Sequence, residues 1–143
     1  MARFTHVEEK GFAMKRLLTS SAALVGALLL ASSALAQAGD AGKELATARA
    51  HAQLAEASQS VMVAKMHLHH TINCLVGPHG LGFDAAAGNP CKGMGDGAQK
   101  DAQKDHMKEV SHALAYARQG VAAKDLAEVH KAASGVLQSI AGS

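Results

Sequence analysis

Between Leu45 and Val76 the chain has no Pro and no Gly, and its apolar residues recur at helical spacing: Leu54, Ala57, Val61, Ala64, Leu68, Ile72 and Leu75 fall three or four positions apart. One stripe at that spacing marks an amphipathic helix, and the residue types are good helix formers. Gly77 followed by Pro78 stops it, because glycine suits the left-handed position after a helix and proline cannot continue one. A single helix over 43–76 would be about 51 Å long at 1.5 Å per residue, against roughly 25–32 Å for the helical segments that follow. Ser58-Gln59-Ser60 is the natural break, since serine caps a new helix. The pattern predicts helices over 42–57 and 60–76, with one continuous helix as the alternative.

Downstream, Ala102, Met107, Val110, Leu114 and Ala117 share a face, which predicts a helix over 98–119 ended by Gly120. Leu126, Val129, Ala133, Val136, Leu137 and Ile140 form the stripe of a last helix over 123–141. The Gly-rich stretch 77–97, with Pro78 and Pro90, is long for a loop in a compact domain unless something ties it down. No stretch alternates with period two, so no sheet is expected. Four amphipathic helices, with short connections except one, predict an all-α fold: a four-helix bundle forming a single domain over 37–143.

Residues 1–36 read differently. Lys15 and Arg16 follow Met14 and precede an apolar run, Leu17 to Leu30, after which Ala34-Leu35-Ala36 offers the small-x-small pattern of a signal peptidase site. This order predicts a secretory signal peptide. Glu8 and Glu9 are out of place ahead of the basic pair, so Met14 is a second candidate start. Cleavage is expected after Ala36, with Ala38 as the alternative. The run is too short and too rich in small residues for a membrane span of about 20 strongly apolar residues. The product is therefore expected in the periplasm or outside the cell, without a stable membrane anchor.

Processing changes the charge. The whole chain has a formal net charge of +2, whereas residues 37–143 hold ten basic and ten acidic side chains. A neutral product has no basic patch for phosphate backbones, which argues against nucleic acid as a partner. Its only aromatics are Phe83 and Tyr116, and alanine is abundant. Each alanine buries little area, so the core is thin and the domain needs further stabilisation.

Cys74 and Cys91 offer it. Two cysteines in an exported domain of this size most simply form a disulfide. Closing a loop of about 17 residues stabilises by roughly 3 kcal/mol through loop entropy. The bond would pin the Gly-rich loop to the end of the second helix. The competing reading is a metal site: His67, His70 and Cys74 share one helical face, and Cys91 would complete a Cys2His2 set. No Cys-x-x-Cys occurs, which removes both that redox motif and covalent haem attachment.

Candidate chemistry concentrates on the second helix. Of eight histidines in 37–143, His67, His69 and His70 occupy three of four consecutive positions behind Met62 and Met66. Met62, Met66 and His69 share one flank, and His70 stands one turn beyond Met66. Thioether with imidazole suits copper, and imidazole alone also takes zinc or nickel. His106 and Met107 flank the stripe of the 98–119 helix and are placed to add donors from across the bundle. The expected site is thus Met62, Met66, His67, His69, His70, His106 and Met107, with a metal ion as partner and copper buffering or resistance as the role.

Two other readings stay open. Helix-borne histidines are often solvated and methionines often fill cores, which would leave a structural or protein-interaction module. A b-type haem or electron-transfer bundle with His and Met ligands is the third, although Ala-rich walls suit haem poorly. No Ser-His-Asp or Gly-x-Ser-x-Gly arrangement, EF-hand loop or paired apolar-set carboxylates occur, so no enzyme is expected. In composition and layout the chain resembles the small His-rich metal-binding helical proteins of the bacterial periplasm. That resemblance implies an exported helical bundle that carries metal, and it assigns no residue.

Overall fold

Helix α1 (Ala41–Ala57) begins where the Asp40 carboxylate accepts the Lys43 N–H at 3.0 Å. It ends at Ser58, and Ser60 starts α2 (Val61–Val76) by accepting the Val63 N–H at 3.5 Å. Asp40 and Ser60 thus satisfy donors that a helix start leaves open. The computed structural model describes residues 39–141. The signal-peptide reading of 1–36 lies outside them.

After α2 the chain turns at Gly77, whose φ of 69° favours glycine. A Cβ there would lie 1.9 Å from the Asp96 carbonyl oxygen, and one on Gly97 would lie 2.3 Å from the Gly77 nitrogen. These two glycines let the chain leaving α2 lie backbone against backbone with the chain returning from the loop. The loop is fastened further. Cys74 and Cys91 form a disulfide with a Cα–Cα distance of 5.2 Å. The Asn73 side chain, fully buried, bonds the backbone of Asp84 and Gly88. Asp40 N–H donates to the Met94 carbonyl at 2.8 Å.

The helix expected over 98–119 is broken. A single turn, α3 (Ala98–Asp101), is followed by a 3-10 turn (Lys104–His106) and then α4 (Met107–Ala122). The reason lies in the stripe. From Gln99 to His106 only Ala102 is apolar, and a helix of low packing reward is held weakly by propensity alone. Asp101 instead accepts the Asp96 N–H at 2.6 Å, which binds α3 to the loop. At the other end α4 passes through Gly120, where the sequence pattern predicts its stop. A Cβ on Gly120 would lie 2.3 Å from Leu68 Cδ1 and 2.9 Å from Ala132 Cβ. This glycine is a point of close helix approach, not a terminator. Helix α5 (Leu126–Ser139) follows, with Asp125 capping the Glu128 N–H at 2.9 Å.

All elements among the described residues are helical, with no strand. None of these helices is long and apolar enough to cross a membrane. Helix α1 packs on α2 and α5, and α4 packs on the same two. Leu45, Ala48, Ala52, Ile72, Leu75, Val110, Leu114, Val136 and Ile140 form the main core around the disulfide. A second cluster of Ala55, Ala64, Leu68, Val129 and Ala133 lies toward the α1–α2 turn. Many of the buried positions are alanine, which lets the helices approach closely while each one removes little area from water.

Candidate metal site

The three-residue connection folds α2 back along α1, and the Thr71 hydroxyl fixes the register by reaching the Ala48 carbonyl at 3.2 Å. His51 and His67 stand equally far along the chain on either side of Gln59. In that register they face each other. His70, three residues beyond His67, shares its helical face. The result is a group of three half-buried imidazoles, one from α1 and two from α2. One ring nitrogen of each lies within 4.8 Å of those of the other two.

The rings are closely set. His51 Nδ1 and His67 Nδ1 are 3.2 Å apart. The centroids of His51 and His67 lie 5.5 Å apart with the rings nearly stacked, and His70 meets His51 edge-on at 4.6 Å. Burial pushes the His51 imidazole down to about 4, with the positive charge of neighbouring His70 and then His67 adding to the effect. His67 is lowered too, first by burial and then by His70. Both rings are therefore neutral at neutral pH, the form that offers a lone pair to a metal.

His70 is held from outside the group. Its Nε2–H donates to the Ala87 carbonyl at 2.6 Å. Its Nδ1 is buried and has no hydrogen-bond partner among the described residues. A buried ring nitrogen with no partner is costly, and a lone pair beside two other imidazoles is chemically a donor.

Of the residues expected from the sequence, the fold brings His67 and His70 together and adds His51, which that reading left out of the site. His69 lies about 100° around the helix from each of its neighbours and turns to the loop, where its Nδ1 is 3.2 Å from Asp84 Oδ2. Met62 is 80% exposed and Met66 43% exposed, so neither thioether is buried with the imidazoles. His106 is exposed in the 3-10 turn and lines a surface cleft with Asp40, Leu45 and Asp101, beside the start of α1. Met107 begins α4, where its carbonyl accepts the Ser111 hydroxyl at 2.7 Å. Both stand at the break in the 98–119 segment, His106 in the 3-10 turn and Met107 at the first position of α4. The Cys2His2 alternative is removed, because both thiols are consumed in the disulfide. The signal for His51 was present: a hairpin centred on Gln59 pairs position 51 with position 67.

Three convergent imidazoles with no carboxylate or thiolate among them can hold a borderline divalent ion and leave coordination positions open. No protein-family model, curated protein or solved structure matches the chain.

Proposed function

We propose that this is an exported metal-binding protein. On this reading the His51–His67–His70 triad takes a first-row transition metal, and the scaffold is a four-helix bundle. The observation that carries it is the convergence of three ring nitrogens, one from each histidine, within 4.8 Å of one another. Copper is the favoured metal. Imidazole donors suit Cu(II), Zn(II) and Ni(II) alike, and Cu(II) stands highest in the affinity order for a given nitrogen site. The exposed thioethers of Met62 and Met66, one turn apart on α2, are available to Cu(I) as it arrives or leaves. Open coordination positions fit a buffering or resistance role, with binding and release as the function and no catalytic step. Export rests on the sequence of residues 14–36 and agrees with a disulfide-bonded domain.

The test is calorimetric titration of Cu(II), Zn(II) and Ni(II) into the wild-type protein and into a variant carrying His51→Ala, His67→Ala and His70→Ala. The wild type should bind one equivalent, tightest for Cu(II), and the variant should bind at least about tenfold more weakly, a loss of about 1.4 kcal/mol or more. Equal affinity and stoichiometry in the two proteins would refute the assignment. Export is tested separately, by the N-terminal sequence of protein recovered from the periplasm, expected at or near Gln37.

A further inference from the structure

The loop that covers α2 is built around one buried side chain. Asn73, fully buried, donates from Nδ2 to the carbonyls of Asp84 at 2.7 Å and Gly88 at 2.6 Å, and its Oδ1 accepts the Asp84 N–H at 2.8 Å. Asp84 then caps its own turn, with Oδ1 accepting the N–H groups of Ala86 at 2.9 Å and Ala87 at 3.3 Å. Its other oxygen faces His69 at 3.2 Å. The disulfide closes the far side at Cys91. Residues 84–88 are thereby clamped at both ends, and the group they present to His70 Nε2 is the Ala87 carbonyl.

A carbonyl oxygen only accepts, so Nε2 of His70 must carry the hydrogen. In a neutral imidazole the other nitrogen, Nδ1, is then the bare donor. That is the buried atom without a partner. On the opposite side, the closest nitrogens of His51 and His67 are also their Nδ1 atoms, 3.2 Å apart. Two donors each about 2.0–2.1 Å from a tetrahedral ion stand roughly 3.3–3.4 Å apart, so this pair is already spaced as one edge of a coordination shell.

We propose that the triad binds its metal through three Nδ1 atoms, and that Asn73 is the positioning residue that enforces this by holding the Ala87 carbonyl on His70. The inference rests on the metal reading of the triad. Without metal, one proton is shared between His51 Nδ1 and His67 Nδ1. On binding it moves to Nε2 of its own ring, so all three rings then carry hydrogen on Nε2. The outer hydrogen bond to His70 orients the ring and fixes its tautomer, the usual role of a backbone carbonyl behind a metal-bound histidine.

The experiment uses histidine-labelled protein and long-range proton–nitrogen NMR correlations, which distinguish a protonated, a bare and a metal-bound ring nitrogen. Zn(II) is the diamagnetic probe. Without metal, His70 should show Nε2–H and a bare Nδ1. With one equivalent of Zn(II), His51, His67 and His70 should all show Nε2–H with the metal on Nδ1. Asn73→Ala should give His70 a mixture of tautomers and weaken zinc by roughly 10–100-fold, the usual loss for an outer-shell partner. Asp84→Ala, at a partly exposed position with little folding risk, should move both readouts in the same direction by a smaller amount. Zinc bound through Nε2 of His70 would overturn the proposal while leaving the metal site standing. An unchanged tautomer and affinity in both variants would overturn the role of Asn73. Absence of zinc binding altogether would overturn this coordination, and the Cu(II) and Ni(II) titrations then decide the metal reading separately.

Discussion

Glu44 should make the protein lose stability as pH rises toward neutrality, and Glu44→Gln should remove that loss. The residue lies on α1 and is 1% exposed. Its Oε1 accepts the Gly97 N–H at 2.9 Å, while Oε2 is buried without a hydrogen-bond partner among the described residues. Burial, opposed by that hydrogen bond and reinforced by the nearby charges of Asp101 and Asp40, raises the carboxyl from 4.5 to about 7. The folded state therefore binds the proton more tightly than the unfolded chain. Between pH 4.5 and 7 it holds more protons, so stability falls with rising pH across that window. Below the window both states are protonated and nothing is lost; above it the full penalty applies. At about 1.4 kcal/mol per pKa unit, the penalty is about 3 kcal/mol. Glutamine keeps an acceptor for Gly97 and places a neutral amide beside Asp101. In thermal unfolding followed by circular dichroism, the variant should gain roughly 10 °C in Tm at pH 8 and almost nothing at pH 4.5, by the usual conversion for a domain of this size. The acid sensitivity that His51 confers is common to both proteins and cancels in the difference. A gain equal at the two pH values, or a less stable variant at pH 8, would refute the reasoning.

His51→Leu reports the opposite slope. The depressed His51 lets the unfolded state bind more protons below 6.5, so wild-type stability is lost as pH falls from 6.5 toward 4. Urea titrations at pH 5 should find the leucine variant more stable by about 1–2 kcal/mol once solvent screening is allowed for. A less stable variant at that pH would make the ring a structural element. The double replacement Cys74→Ser with Cys91→Ser should lower stability by roughly 3 kcal/mol, from the entropy of a 17-residue loop, while far-ultraviolet circular dichroism keeps its helical shape. Gly120→Ala should cost about 1–3 kcal/mol by overpacking, read as a lower urea midpoint, because its Cβ has no room against Leu68 and Ala132. A neutral result would mean that α4 shifts freely.

The helical class was legible because stripes of period 3.6 leave a one-dimensional trace, and the serines at 58 and 60 mark a break by their own chemistry. The Cys74–Cys91 pairing was legible because the chain offers only one pair. Gly120 and Gly77 were not distinguishable in the same way. A glycine that ends a helix and one that lets two helices touch look alike until the neighbour is known, and for Gly120 the neighbours are Leu68 and Ala132. The gap after Asp101 was missed because alanine at 102 kept the apparent stripe running through a stretch with nothing else to bury. The histidines divide along the same line. His67 and His70 were visible as a dense cluster, but which of His69 and His70 turns inward depends on the covering loop, and Asn73 does not advertise its three bonds to that loop.

The triad also makes little sense as a stability device. This core is thin, and its largest buried side chains are Leu68, Leu75 and Ile140. An apolar residue at His51 or His70 would add buried area, at about 25 cal/mol per Å2. Imidazoles there forgo that area. They also leave one buried nitrogen unpaired, at about 1–3 kcal/mol, and make the fold sensitive to acid through His51. Meanwhile the polar contacts that do stabilise this region, those of Asn73, hold the loop that carries the carbonyl bonded to His70. A purely structural cluster would be expected to satisfy its own nitrogens. Here Nε2 of His70 is satisfied by the Ala87 carbonyl while its buried Nδ1 has no partner among the described residues, an arrangement compatible with a metal ligand.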